Sequence, residues 1–332
     1  MSSKKHNPSP IQADALQPEI KEALAAPTAG TYPEQAPVPP GVASSAPVPE
    51  APGTVSEVVS FHNVTKKFGE GAEEKVAIQD VSFVVEDLPN LGELICLVGP
   101  SGCGKSTVLR LIAGLAPQYP QSSGTISVFG KELTGPSADR GLVDQKYSLL
   151  PHLTVLQNIA FGLKMKGMKR AERYALAHDW IKKVGLEGAE GKFPSELSGG
   201  MQQRVAIAAT LVLKPRILLM DEPFGALDPR IRLRMQELLV ELWKEQQGTV
   251  FFVTHSVEEA VYLGDRVFRM ASKPGRLVEV LQVPRPDVPL EEMRKNDWFT
   301  DLTSDLLQRL EQDALASGAL RGSRTVPHLH PR

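Results

Sequence analysis

The apolar run Leu94-Ile95-Cys96-Leu97-Val98 passes without a spacer into Gly99-Pro100-Ser101-Gly102-Cys103-Gly104-Lys105-Ser106-Thr107, and that in turn into the helical stretch Val108–Gly114. Five consecutive apolar, mostly β-favouring residues fit a strand buried on both faces, as in a parallel sheet. The glycines of the loop let backbone N–H groups turn inward around phosphate oxygens, where a side chain would collide. A helix beginning at the end of the loop adds the positive end of its dipole. Strand, glycine loop and helix in immediate succession constrain this part of the chain to an α/β fold with an anion site at the carboxyl end of a strand.

The alternation recurs downstream. Ile217–Met220 reads as a second apolar strand and ends at Asp221-Glu222; Thr249–Thr254 reads as a third and ends at His255. Between them Asp228-Pro229 predicts a helix start, with Asp at the N-cap and Pro at the first helical position, and Gly248 a helix stop. Met201 to about Val212 reads as a helix after Ser198-Gly199-Gly200, and residues 154–187 as mostly helical with breaks at Gly162 and Gly167 and a stop near Gly185. Ahead of the glycine loop, Val58–Val64 and Ala77–Val85 read as strands, with a turn at 88–92. Chemically active side chains collect where apolar strands end, which is the doubly wound arrangement and its usual site.

Composition narrows the function classes. Lys and Arg number 37 against 39 Asp and Glu, a net charge of −2, which argues against nucleic acid as a partner. Two cysteines, Cys96 and Cys103, build no disulfide framework and suit a reducing compartment. No apolar run is long enough to cross a membrane, and the first residues lack the apolar segment of a secretory signal, so a soluble, cytosolic chain is expected. Residues 1–55 hold 11 of the 27 prolines and one aromatic, Tyr32, and so read as a disordered Pro/Ala-rich tail. Beyond Pro286, the spacing of Trp298, Phe299, Leu302, Leu306 and Leu310 predicts a helix with one apolar face, packed on its own domain, within a C-terminal extension spanning 286–332.

Gly99-x4-Gly104-Lys105-Ser106 fits the Walker A pattern. In it Lys105 reaches the β- and γ-phosphates and the Ser106 hydroxyl binds Mg²⁺. Asp221 fits the Walker B carboxylate that holds Mg²⁺, and Glu222 beside it is placed to polarise an attacking water. These features alone leave kinases, GTPases, motor ATPases and transport ATPases open. The deciding segment is Leu197-Ser198-Gly199-Gly200-Met201-Gln202-Gln203-Arg204, a second anion-receptive helix start. One nucleotide rarely needs two such sites from one chain, and a head-to-tail dimer in which each segment caps the partner's nucleotide accounts for both.

Residues 57–285, about two-thirds of the chain, resemble the ATP-binding subunit of ABC transporters. The segment 197–204 looks like the ABC signature, with Met201 where Gln is commonest. The resemblance implies a P-loop NTPase (RecA-like) core with an antiparallel β subdomain and an inserted α-helical signature subdomain at about 150–212. It implies that residues 99–107 (Gly99, Pro100, Ser101, Gly102, Cys103, Gly104, Lys105, Ser106, Thr107) hold the phosphates of ATP. Phe68 in Lys66-Lys67-Phe68-Gly69 matches the aromatic that stacks on adenine, Gln145 the Q-loop glutamine and third member of the Mg²⁺ shell, and Asp228 the D-loop aspartate. His255 looks like the switch histidine at the γ-phosphate, and Ser198, Gly199 and Gly200 the signature contact to the partner's ATP. Where the family usually has Phe before the Q-loop glutamine, this chain has Asp144, an additional carboxylate near the metal and coupling region.

The resemblance implies hydrolysis of ATP to ADP and phosphate in a dimer that closes on ATP and reopens after hydrolysis. It implies delivery of that motion to a separate integral membrane permease through a groove near 145–152. A finer resemblance, in residues 147–155 and 281–286, is to the nitrate/sulfonate/taurine import group, which adds a periplasmic solute-binding protein and places the chain peripherally on the cytoplasmic face of the inner membrane. Two other classes stay open. A soluble ABC ATPase of repair or translation usually carries two cassettes or a long coiled-coil insertion, for which the spacing of about 90 residues between Walker A and signature leaves no room. A P-loop kinase needs an acceptor site and no signature segment.

Overall fold

The computed structural model describes residues 57–86, 92–145, 148–284 and 288–316. Strands β1 (Glu57–Phe68) and β2 (Lys75–Glu86) form a long antiparallel ribbon. Then come β3 (Leu94–Val98), helix α1 (Lys105–Ala113), and β4 (Ser123–Val128), β5 (Lys131–Glu132) and β6 (Arg140–Val143). Three helices follow in succession: α2 (Val155–Met165), α3 (Arg170–Lys183) and α4 (Gly199–Leu211). The chain then returns to alternation with β7 (Ile217–Asp221), α5 (Pro229–Gln246), β8 (Thr249–Val253), α6 (Val257–Leu263), β9 (Arg266–Ala271) and β10 (Arg276–Gln282). Helices α7 (Leu290–Met293) and α8 (Asp297–Ala316) end the described residues.

Two sheets organise these elements. One is antiparallel, in the order β2-β1-β4-β5; the other runs β10-β9-β3-β8-β7-β6. In the second, β9, β3, β8, β7 and β6 are mutually parallel and β10 joins antiparallel to β9. Its central strands separate two apolar cores. Leu94, Cys96 and Val98 of β3, with Leu218, Met220, Val250 and Phe252, face the core built by the helices. Ile95 and Leu97, with Ile217, Leu219, Phe251 and Val253, face the core shared with α1 and the antiparallel sheet. Burial on both faces is why β3, β7 and β8 carry no polar alternation. The strand order is non-sequential, so the carboxyl ends of β3, β6, β7 and β8 lie side by side although they are far apart in the chain.

The expected P-loop core, antiparallel sheet and helical insertion are all present, with local differences. Gly162 does not break a helix. It lies inside α2, where an added Cβ would press on the Leu213 side chain, so the glycine serves close packing. Gly167 (φ +79°) and Gly185 (φ +63°) do take left-handed turns after α2 and α3. Helix α4 starts at Gly199, two residues earlier than expected, because Ser198 caps it by accepting from Met201 N–H. The left-handed residue closing α5 is Gln247 (φ +51°) rather than Gly248, whose lack of a side chain lets the Arg216 carbonyl approach. Strands β4, β5, β6, β9 and β10 were not expected. In α8, Phe299 and Leu306 are buried and Trp298, Leu302 and Leu310 pack partly on the same helical core, as their spacing predicts. The expected tail 1–55 and most of the turn at 88–92 lie outside the described residues.

Candidate active site

The glycine loop closes β3 and opens α1. Gly102 (φ +78°) and Gly104 (φ +96°) hold left-handed conformations that favour glycine. A Cβ on Gly104 would collide with Ile78, whereas one on Gly102 would enter open space. Lys105 is 5% exposed. Its Nζ donates to the carbonyls of Gly99 (2.8 Å) and Pro100 (3.2 Å), which draws the loop around the ammonium. Cys103 is buried beside it, and burial raises its thiol pKa despite the nearby Lys105 charge. Ser106, exposed at the first turn of α1, donates its hydroxyl to Asp221 Oδ1 at 3.0 Å.

Strand β7 delivers the opposite wall. Asp221 ends it at 4% exposure; burial pushes the carboxyl above its ordinary pKa, the Ser106 hydrogen bond opposes this, and the Asp144 and Glu222 charges add to it. A desolvated carboxylate sharing its oxygen with a hydroxyl is a donor set suited to a hard divalent cation, and the residues present fit Mg²⁺. Glu222 follows in a left-handed conformation (φ +50°), a backbone state that costs a non-glycine residue about 1–3 kcal/mol. Its N–H still pairs with Val253 O (3.0 Å), and the turn sends its side chain to two partners. Gln145, just beyond β6, donates to Glu222 Oε2 at 3.1 Å. His255, just beyond β8, places Nε2 2.6 Å from Glu222 Oε1. Three strands therefore converge on one carboxylate, and a fourth supplies the glycine loop. Asp144 is paired rather than open: Arg110 of α1 reaches its Oδ2 at 2.7 Å, which ties the residue before Gln145 to the helix after the loop.

The remaining predicted residues lie apart from this cluster. Ser198 and Gly199 are exposed at the start of α4, and among the described residues no hydrogen bond joins Ser198, Gly199 or Gly200 to residues 99–107. Asp228 caps α5, its Oδ1 accepting from the Arg230 and Ile231 N–H groups at 3.1 Å each. Phe68 stands partly exposed at the end of β1, with Lys66 Nζ 5.1 Å from its ring centroid, and belongs to neither core. Sequence reasoning missed two residues of the neighbourhood. Arg110 is one of many helical arginines until the fold sets it against Asp144. Gln203 was noted only as a letter of the signature, yet it is buried against the Glu222 loop.

The ABC transporter family model matches residues 78–225. The nitrate import ATP-binding protein NrtD of Synechocystis is 48% identical over 224 residues, covering 68% of this chain and 81% of the relative. The chain belongs to the ABC transporter ATP-binding proteins. The taurine import ATP-binding protein TauB of Rhizobium johnstonii is 52% identical over 202 residues, covering 61% of this chain and 74% of the relative. A solved dimeric ATP-binding cassette in a post-hydrolysis state, bound to ADP and Pi, superposes with TM-score 0.61 at 32% identity and covers 68% of this chain and 98% of that one. The cassette described above is thus an ATP-binding, ATP-hydrolysing subunit. None of its described helices is long and apolar enough to cross a membrane.

Proposed function

We propose that this cassette is the ATPase subunit of an importer of the nitrate/sulfonate/taurine type, working as a head-to-tail dimer, most simply a homodimer, on a separate membrane permease. The observation that carries the catalytic part is the Glu222 carboxylate held between Gln145 and His255 beside the Ser106–Asp221 pair. In this reading Phe68 stacks on adenine, and the N–H groups of residues 99–107 with Lys105 bind and orient the phosphates. Ser106, Asp221 and Gln145 hold the Mg²⁺. Bound there, Mg²⁺ would supply positive charge to offset that of the phosphates. Glu222 accepts a hydrogen bond from the attacking water and aligns it with the γ-phosphorus. His255 steadies that carboxylate and faces the γ-phosphate. The partner subunit's Ser198, Gly199 and Gly200 complete the pocket, and Asp228 lies at the same dimer face. ADP and phosphate leave when the dimer opens.

The transport part rests on the identity to NrtD and TauB, whose names give nitrate and taurine import. With no spanning helix of its own among the described residues, the cassette sits peripherally on the cytoplasmic face of the inner membrane. A periplasmic solute-binding protein completes the system from the other side. The test is co-purification from membranes followed by ATPase assay of the reconstituted complex with binding protein and nitrate, taurine or an alkyl sulfonate. A multi-spanning partner and stimulation by one of these solutes is the expected result. A cassette that purifies alone from membranes and hydrolyses ATP at a solute-independent rate would refute the transport reading.

A further inference from the structure

Gln203 sits in the first half of α4, one turn beyond the exposed helix start at Ser198, and is 2% exposed. Its Nε2 donates to the backbone carbonyl of Glu222 at 3.2 Å, and its Oε1 accepts from the Ala226 N–H at 3.3 Å. The amide therefore spans the loop from Glu222 to Ala226 and grips both ends. The Glu222 carbonyl takes one further bond, from the Gly225 N–H at 3.2 Å, which closes the turn that puts Glu222 at φ +50°. Gly200 of the same helix packs on this loop too: a Cβ there would stand 3.4 Å from the Ala226 carbonyl and from Leu227.

A buried amide with both polar ends satisfied is a rigid strut. This one is anchored on α4 and braces the backbone of the residue whose carboxylate meets Gln145 and His255. A left-handed glutamate persists only if its surroundings over-determine it. We propose that Gln203 is a positioning residue for ATP hydrolysis: it holds the Glu222 backbone in the conformation that aims the carboxylate at the attacking water, and it ties that aim to the position of the signature helix. The proposal rests on Glu222 orienting the water. Because the helix start at 198–200 faces outward, a shift of α4 on meeting the facing subunit reaches this chain's own Glu222 through one side chain.

The experiment uses the full chain with Gln203→Met, which keeps the length and burial and loses both hydrogen bonds. Folding should survive, because the Glu222 carbonyl keeps Gly225 and the Ala226 N–H lies on an exposed residue. Gln203→Leu serves as a second, smaller apolar variant. Single-turnover hydrolysis should fall about 10- to 100-fold, a fraction of what a positioned base contributes. ATP affinity and the thermal midpoint should stay near wild type. In a Glu222→Gln background the same substitution should add less than about twofold, because a strut for a missing carboxylate has nothing left to aim. Unchanged turnover in Gln203→Met or Gln203→Leu, with Glu222→Gln slow, overturns the proposal alone. A loss that persists in full in the Glu222→Gln background overturns it as well, since that marks a general structural role. Wild-type turnover in Glu222→Gln by itself overturns both the role of Glu222 and the proposal.

Discussion

Two helices of this molecule start at a glycine with a serine within two positions, and they differ in what stands in front of them. The start of α1 is enclosed: Lys105 is buried, Ser106 meets Asp221, and the carboxyl ends of β6, β7 and β8 bring Gln145, Glu222 and His255 to the same place. The start of α4 is open: Ser198 satisfies one N–H of its own helix, and the segment faces solvent. Both ends present backbone donors and a positive dipole, the ingredients of an anion site. Only the first has the Gln145, Glu222 and His255 side chains of its own chain around it. In the proposed head-to-tail dimer the open helix start has a use, because a half-site facing outward does nothing for a nucleotide bound on its own chain.

Substitutions can break this comparison, the largest effect coming from the enclosed end. Lys105→Ala removes the one cation seated in the glycine loop and should lower kcat about 100- to 1,000-fold, with weaker ATP binding by the isolated chain. Residual turnover within tenfold of wild type in a steady-state assay would mean that the enclosed end is not the phosphate site. At the open end, Ser198→Asp keeps a capping oxygen, so α4 should fold normally. The new carboxylate would face the partner's phosphates, and kcat should drop roughly 10- to 100-fold while ATP binding by the monomer stays within twofold. Titration of a fluorescent ATP analogue at concentrations below dimerisation separates these quantities; an equal loss of monomer binding would erase the contrast between the two ends.

Smaller effects sharpen it. Arg110 and Asp144 link the enclosed helix to the residue before Gln145, but the pair is part-exposed, with side chains 31% and 18% accessible. Such pairs contribute about 0–1 kcal/mol, so Asp144→Asn should change kcat by no more than about fivefold and shift its dependence on salt. A change in kcat without any change in salt dependence would point to packing instead of charge. Deleting residues 1–55 should leave both ends and the ATPase rate unaltered, which a comparison of the truncated and full chains measures directly. Loss of activity or solubility on truncation would place a working element in that segment.

The core of the site was legible because its signals are local. A buried strand, a glycine loop and a helix follow one another within 94–114, and Asp221-Glu222 and His255 each sit just past an apolar run. The N-cap at Asp228 was readable for the same reason, since capping is decided within three residues. Gly162 misled because a glycine in a helical pattern signals either a break or a close approach, and only Leu213, some fifty residues away, distinguishes them. Strands β4, β6 and β10 were invisible because edge and half-exposed strands lack the continuous apolar run that marks β3, and β9 because Arg266 and Arg269 interrupt its apolar residues.

The sequence by itself determined that this chain carries a glycine loop of the Walker A pattern, an Asp-Glu pair of the Walker B pattern at a strand end, and a second glycine-rich helix start of the ABC signature pattern. Each is a run of a few residues whose backbone and side-chain requirements are satisfied locally. Tertiary structure alone decided that β3, β8, β7 and β6 lie in that order, and so that Gln145 and His255 close on Glu222 from opposite sides of it in the chain. It also decided that Arg110 answers Asp144 and that Gln203 grips the Glu222 loop. Those contacts join residues 19 to 77 positions apart. Their existence depends on strand order and helix packing, which are set by the burial of two whole cores rather than by any short segment.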